Sequence, residues 1–281
     1  MVTEAGAQLT KPGKGLYPTF AIMSHYCICN ARYTINPESG EMYVRARRPI
    51  LVGEEISVQY LSALLGNRKR RTKIRSEWYF DCLCRRCSDP GECGTNISGL
   101  KCFECCEGVL LPVNSLDNDG LWKCGVCHFT VGPESVDPLV DEIEDELNEI
   151  GRSGVFNRYE DFIEKYAGTI LHPNHYLVMT ATRNLIQFYT YGVPNEVLAL
   201  ETLRKKYDLC KNFLNVLTRV DPGYSEIRNF VSKELNFCKL LICQQDFQLG
   251  AIGREEYLLQ SRQSLNALDD VERNKKLVQF C

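Results

Sequence analysis

The sequence predicts an α+β protein in three parts: a β-rich N-terminal region, a cysteine-rich segment braced by zinc, and an all-α region of helical hairpins of the tetratricopeptide-like kind. Three observations carry this prediction. Strand-like alternation runs from Pro18 to Tyr60, eleven of the fifteen cysteines lie between Cys27 and Cys127, and helical spacing takes over after Pro138.

In the first part, residues 31–35 and 42–46 alternate apolar with polar, and Asn36-Pro37-Glu38-Ser39-Gly40 between them has hairpin-loop chemistry. Val52-Gly53-Glu54-Glu55 forms a second turn, leading into a strand over 56–60. A short basic helix is expected over roughly 66–78, ahead of the cysteines.

Seven cysteines of the second part read as two ligand sets. Cys82-x-Cys84-x2-Cys87 is one; Cys102-x2-Cys105 followed after eighteen residues by Cys124-x2-Cys127 is the other. A CxxC pair puts two thiolates on one tight turn, where a tetrahedral Zn²⁺ takes both, and two pairs close a structural site. The first set is one ligand short, and Cys27 is the candidate fourth. Cys93 and Cys106 are nearby competitors that the spacing disfavours. A segment rich in Gly, Asn and Asp and poor in long apolar periods needs such staples.

The third part opens with Leu139, Val140, Ile143, Leu147 and Ile150 at helical spacing and acidic residues opposite. Helical periods continue over about 174–191, 195–217, 224–247 and 254–277, with Pro194 opening one helix and Pro222-Gly223 separating two. No strict 34-residue repeat is present.

Composition narrows the function classes. The 281 residues carry a net charge of −3, which disfavours direct nucleic-acid binding because phosphate recognition requires a basic surface. The expectation is no membrane partner and no export signal: no stretch approaches 18 apolar residues and Met1 to Gly15 has no apolar core. Reduced thiols in a cytoplasmic and/or nuclear protein follow, with CxxC pairs serving metal rather than disulfides.

Three blocks, in order, carry a resemblance to a known family. They are Gly13-Lys14-Gly15-Leu16-Tyr17-Pro18 running into Ser24-His25-Tyr26-Cys27-Ile28-Cys29-Asn30, then Gly53-Glu54-Glu55-Ile56-x3-Tyr60, then the Cys82, Cys84, Cys87 triplet. Together they resemble the SET domain of protein lysine methyltransferases, specifically the SET-and-MYND (SMYD) family. The added CxxC…CxxC module is similar to the arthropod branch. The resemblance implies the C-terminal part of a SET domain over 1–81, a post-SET double zinc region over 82–133 and a helical C-terminal domain over 134–281.

It also implies transfer of a methyl group from S-adenosylmethionine to a lysine amine of a protein substrate. Tyr60 would be the active-site phenol, Ser24, His25, Asn30 and Phe80 would border the cofactor, and two structural Zn²⁺ ions would use Cys27, Cys82, Cys84 and Cys87 and Cys102, Cys105, Cys124 and Cys127.

The family asparagine, serine and proline of this region are replaced here by Ser24, Tyr26 and Cys29. The N-terminal SET half and the MYND module have no counterpart before Met1, so the cofactor pocket is expected to be incomplete in this chain. The alternative is a non-catalytic zinc-stabilised adaptor that binds a partner protein.

Weaker signals have ordinary readings. The basic run from Arg68 to Arg75 reads as a solvated helix face, and the acidic run 141–149 likewise. His172 and His175 read as structural, and Cys210, Cys238, Cys243 and Cys281 as small buried hydrophobes.

Overall fold

The computed structural model describes residues 15–279, apart from 37 and 193–197. Gly13 and Lys14 of the first block, Pro194 as helix opener and Cys281 therefore lie outside the described residues. The chain forms two compact units that meet in sequence at Tyr60 and Leu61.

The first unit is built from one helical turn, α1 (Pro18–Ala21), and two small sheets. Strands β2 (Ala31–Ile35) and β3 (Met42–Ala46) pair antiparallel from Ala31↔Ala46 to Ile35↔Met42, the hairpin that alternation predicts. Asn36 shapes its loop: its side-chain oxygen accepts from the Glu38 amide at 2.8 Å, and Gly40 supplies the left-handed backbone at φ 71°. The expected strand over 56–60 is shorter than alternation suggests. Only Ser57–Val58 (β4) pairs, in parallel, with Ser24–His25 (β1). Its run ends because the Tyr60 amide turns away to a side chain, the His25 ring, at 3.1 Å.

The second unit opens with α2 (Asn67–Trp78), matching the expected basic helix, then the short α3 (Arg85–Ser88). Four antiparallel strands follow in the order β5-β6-β7-β8: Leu100–Lys101, Val109–Pro112, Trp122–Cys124 and Thr130–Val131. The helical region is α4 (Pro133–Ser153), α5 (Arg158–Tyr166), α6 (Tyr176–Tyr191), α7 (Leu200–Val220), α8 (Glu226–Gln248) and α9 (Arg254–Gln279). From α4 onward each helix packs against its successor, the helical-hairpin pattern the sequence predicts. Two details differ. Helix α5 was not anticipated, because only the aromatic trio Tyr159, Phe162 and Tyr166 marks its inward face within a polar stretch. Residues 198 and 199, expected within a helix from about 195, precede helix α7, which begins at Leu200; the expected start itself lies outside the described residues.

The cysteine-rich segment is richer in core than its composition suggests. Ile97, Leu100 and Leu110 are fully buried and join one apolar cluster with Val136, Ile143, Phe162 and Leu171. Backbone bonds knit the sheet to the helices: Lys101 N–H to Ile170 C=O at 2.8 Å, His172 N–H to Gly99 C=O at 3.0 Å, and Tyr176 N–H to Ile97 C=O at 2.8 Å. A few apolar side chains suffice there because the metal-binding turns and these bonds fix the rest. No helix among the described residues is long and apolar enough to cross a membrane.

Candidate metal and cofactor site

The two ligand sets of the second unit differ in how they are built. In the first, Cys84 sits at the N-terminal end of α3 and Cys87 inside its first turn, where the helix brings both sulfurs to one side. Cys82, Cys84 and Cys87 are all buried, and their sulfurs lie within 4.8 Å of one another. In the second, each CxxC forms a knuckle on the four-stranded sheet. Cys102 and Cys105 precede β6, and Cys124 closes β7 with Cys127 in the following turn. Sulfurs approach across the knuckles, Cys102 to Cys127 at 3.5 Å and Cys105 to Cys124 at 3.8 Å. A regular tetrahedron with Zn–S of about 2.3 Å has edges of about 3.8 Å, so the spacing suits that ion. Both cysteine groups can hold zinc.

Backbone donors favour a thiolate at Cys105 of the second group. The Gly108 amide donates to Cys105 Sγ at 3.3 Å, and together with the Glu107 amide it pulls that thiol down to about 6. Gly108 is required there: a β-carbon would run into Cys124 Sγ. Each knuckle ends on a left-handed residue that is not glycine, Cys106 at φ 55° and His128 at φ 63°. Cys93 and Cys106 stand outside both ligand groups.

Helix α2 corrects the reading of the basic run. Its inward stripe is Asn67, Arg70, Arg71 and Ile74, so two arginines of the supposed solvated face are buried. Arg70 and Arg86 share the carboxylate of Glu92, at 2.7 and 3.1 Å, and all three side chains are fully buried. Burial alone would raise the Glu92 pKa, but the two guanidiniums overcome it and hold the group below the usual carboxylate range. Arg71 instead reaches Ser115 C=O and Asn118 Oδ1, at 3.2 and 3.1 Å. Periodicity could not reveal this stripe, because its inward residues are mostly polar.

In the first unit, the sequence-predicted site residues fall into two hydrogen-bonded groups, one around Asn30 and one joining His25, Cys27 and Tyr60. Asn30 is buried and fully committed: Nδ2 donates to Glu54 Oε1 at 2.9 Å and Glu55 C=O at 2.8 Å, while Oδ1 accepts from the Ser57 amide at 2.9 Å. That network also holds the Gly53-Glu54-Glu55 turn, where Arg48, then Asn30 and the Leu51 amide, keep the Glu54 carboxyl down at about 2. His25 Nδ1 accepts from the Tyr60 amide, which puts the ring proton on Nε2, where it donates to Cys27 Sγ at 3.3 Å. The Tyr60 phenol donates to Met23 C=O at 2.7 Å, and burial raises its pKa, so it stays protonated at neutral pH.

Ser24 is exposed on β1 opposite Ser57. Phe80, in the second unit, is 37% exposed. Sequence reasoning missed Glu54, Arg70, Arg86 and Glu92; the Glu54-Glu55 pair was read as a turn and a motif, without its bond to Asn30. His172 and His175 are structural as expected: each accepts a nearby backbone amide through Nδ1, and burial, then the charges of His172 and Lys69, lower His175 to about 3.

An α+β chain with paired thiol sites, a SET-like motif network and a helical C-terminal region defines a class: zinc-braced SET-type proteins. No family model matches the chain. It is, however, homologous to the SET-and-MYND family, consistent with a member of the arthropod branch. It is similar to SET domain-containing protein SmydA-8, isoform A, of Drosophila melanogaster, 31% identical over 229 residues that make up 79% of this chain and 48% of that protein. It also resembles histone-lysine N-methyltransferase SMYD3 of Homo sapiens (32% over 97 residues, 34% of this chain and 22% of that protein). A plant relative, histone-lysine N-methyltransferase ASHR1 of Arabidopsis thaliana, is 24% identical over 77% of this chain and 45% of its own length. The chain thus spans about half the length of the curated relatives it matches most extensively.

Proposed function

We propose that this chain belongs to an S-adenosylmethionine-dependent protein-lysine N-methyltransferase of the SET-and-MYND type, with 1–81 as the C-terminal part of the SET domain, 82–133 as the post-SET double zinc region and 134–281 as the helical C-terminal domain. The observation that carries the reading is a pair of contacts between two of the family's motif blocks, Asn30 to Glu54 and the Tyr60 amide to the His25 ring.

Bound S-adenosylmethionine would supply an electrophilic methyl group. The chain's own residues divide the remaining work. Asn30 and His25 have their polar side-chain atoms engaged within the unit, so they fix the shape of the cofactor region and Ser24 offers the free hydroxyl edge. The resemblance assigns Phe80 to the adenine, against which an aromatic ring would stack. Tyr60 presents a protonated phenol whose position is set through Met23, suited to orienting a neutral lysine amine in line with the methyl carbon.

For zinc, Cys102, Cys105, Cys124 and Cys127 hold one ion. Cys27 would join Cys82, Cys84 and Cys87 for the other, as the family resemblance implies; its burial and its bond from His25 suit a ligand. Reduced, metal-binding thiols fit a cytoplasmic or nuclear setting, and the substrate on this reading is a protein.

The test is calorimetric titration with S-adenosylmethionine of a form in which a relative's upstream SET half precedes residue 15. Binding with turnover is expected, and Tyr60→Phe should keep binding while losing about 100-fold or more in turnover. Absence of cofactor binding in that form removes the enzyme reading.

A further inference from the structure

The first cysteine group has a feature that the metal ligands themselves do not require: a buried cation aimed at one sulfur. Arg70 Nη2 donates to Cys87 Sγ at 3.7 Å, and the arginine is fully buried. Its other arm is anchored twice, Nη1 to Leu65 C=O at 2.5 Å and to Glu92 Oε1 at 2.7 Å. Glu92 is itself saturated. Oε1 also takes Arg86 Nε at 3.1 Å, and Oε2 accepts from the Asn67 amide at 3.3 Å and from Ser98 Oγ. Asn67 returns to the same cysteine, donating through Nδ2 to Cys87 C=O at 2.7 Å. The trio of Arg70, Arg86 and Glu92 therefore places two positive charges and one negative against a metal ligand. Four thiolates around Zn²⁺ carry a charge of about −2.

We infer that Arg70, oriented by Glu92, is a positioning residue for the Cys87 thiolate of the first zinc, and that its hydrogen bond and charge set how slowly this ion yields to electrophiles. An N–H···S bond and a nearby cation draw electron density from the thiolate, which is both the nucleophile and the ligand. In a water-poor interior that effect is stronger than at the surface. The second group has no such device. Its sulfurs receive backbone amides, Gly108 to Cys105 and Val126 to Cys124, each at 3.3 Å, and among the described hydrogen bonds no cation reaches them.

The inference rests on zinc occupying the first group, and the experiment separates the two claims. Native mass spectrometry of the whole chain first counts bound zinc: two ions are expected, and fewer would defeat the zinc assignment. N-ethylmaleimide is then added with a chromophoric chelator present. Each alkylation breaks one Zn–S bond and the maleimide C=C π bond and forms one S–C bond and, with a proton from water, one C–H bond; released zinc is read by absorbance.

Two phases are expected, the second group releasing first. Arg70→Gln should accelerate only the slow phase, by about 10-fold or more. Arg70→Lys, which retains the charge but loses the guanidinium fork, should accelerate it less and serves if the glutamine variant does not fold. With cobalt in place of zinc, both variants should move the sulfur-to-cobalt charge-transfer band, a signature that mere packing would leave in place. Two zinc ions with an unchanged slow phase and unchanged band in Arg70→Lys, or equal acceleration of both phases, overturn the inference.

Discussion

The two cysteine groups use the same ligand chemistry in opposite surroundings. Cys82, Cys84 and Cys87 are all buried, beside the buried arginine–glutamate network, whereas in the sheet knuckles Cys127 is exposed and Cys105 half-exposed. The difference teaches that ligand spacing specifies a metal but not its lability. What surrounds the sulfurs decides how the ion exchanges, and that environment comes from residues remote in sequence: Glu92 from a loop, Arg70 from a helix that reads as a solvated basic face.

The largest expected effect breaks the second group outright. Cys124→Ser should remove one zinc by native mass spectrometry and unfold the four-stranded sheet, because structural zinc contributes roughly 10–16 kcal/mol of apparent folding free energy in small domains. Since Leu100, Leu110 and Cys124 share the apolar cluster with α4 to α6, the loss should spread to the helices, seen as a fall in helical circular dichroism at a lower temperature. A helical signal unchanged on heating would mean that the sheet and helices do not unfold together. A milder version of the comparison replaces Glu92 by Gln. That leaves two guanidiniums facing a neutral amide and should cost about 3–5 kcal/mol in denaturant unfolding, the scale of breaking a buried ion pair. It should leave the metal of the sheet knuckles in place.

How much of this was legible follows the same division. The ligand spacing, the hairpin at 31–46 and the helices α2, α4, α6, α8 and α9 were readable, because turn chemistry and apolar periodicity are local signals. Helix α5 was not, since its face is three aromatics in a polar run. Nor was the inward stripe of α2, because periodicity counts apolar residues and Asn67, Arg70 and Arg71 are inward for their hydrogen bonds. In the first unit, His25, Asn30 and Tyr60 were singled out only through their motif. That their side chains bond to Cys27, Glu54 and Met23 is a matter of tertiary geometry that no spacing encodes.

The attachment of the sheet to the helices offers a pH test. His175 is buried and neutral at the start of α6, beside the backbone bonds that hold Gly99 and Lys101. Its folded pKa, about 3, lies below the unfolded value of about 6.5, so the unfolded chain binds the extra proton and stability falls as pH drops from about 6.5 toward 3. Between pH 7 and 5.5 that amounts to about 1 kcal/mol. His175→Asn keeps a capping side chain and should remove this part of the pH dependence. Equal slopes for both proteins in that window would mean that the ring is protonated in the folded state.

The smallest effect sharpens the comparison by improving the weaker group. Cys106 and His128 follow the second cysteine of each knuckle in left-handed backbone, where a β-carbon is disfavoured and glycine is not. Such positions cost of order 1–3 kcal/mol for ordinary residues, so Cys106→Gly should raise the unfolding free energy by about 1 kcal/mol. It also removes an exposed thiol beside Cys105 that can compete for the metal. The fast phase of zinc release under N-ethylmaleimide should then slow while the slow phase holds its rate. If Cys106→Gly instead lowers stability or loses zinc, Cys106 is itself a ligand of the second ion. The contrast between the groups would then lie in ligand choice rather than in surroundings.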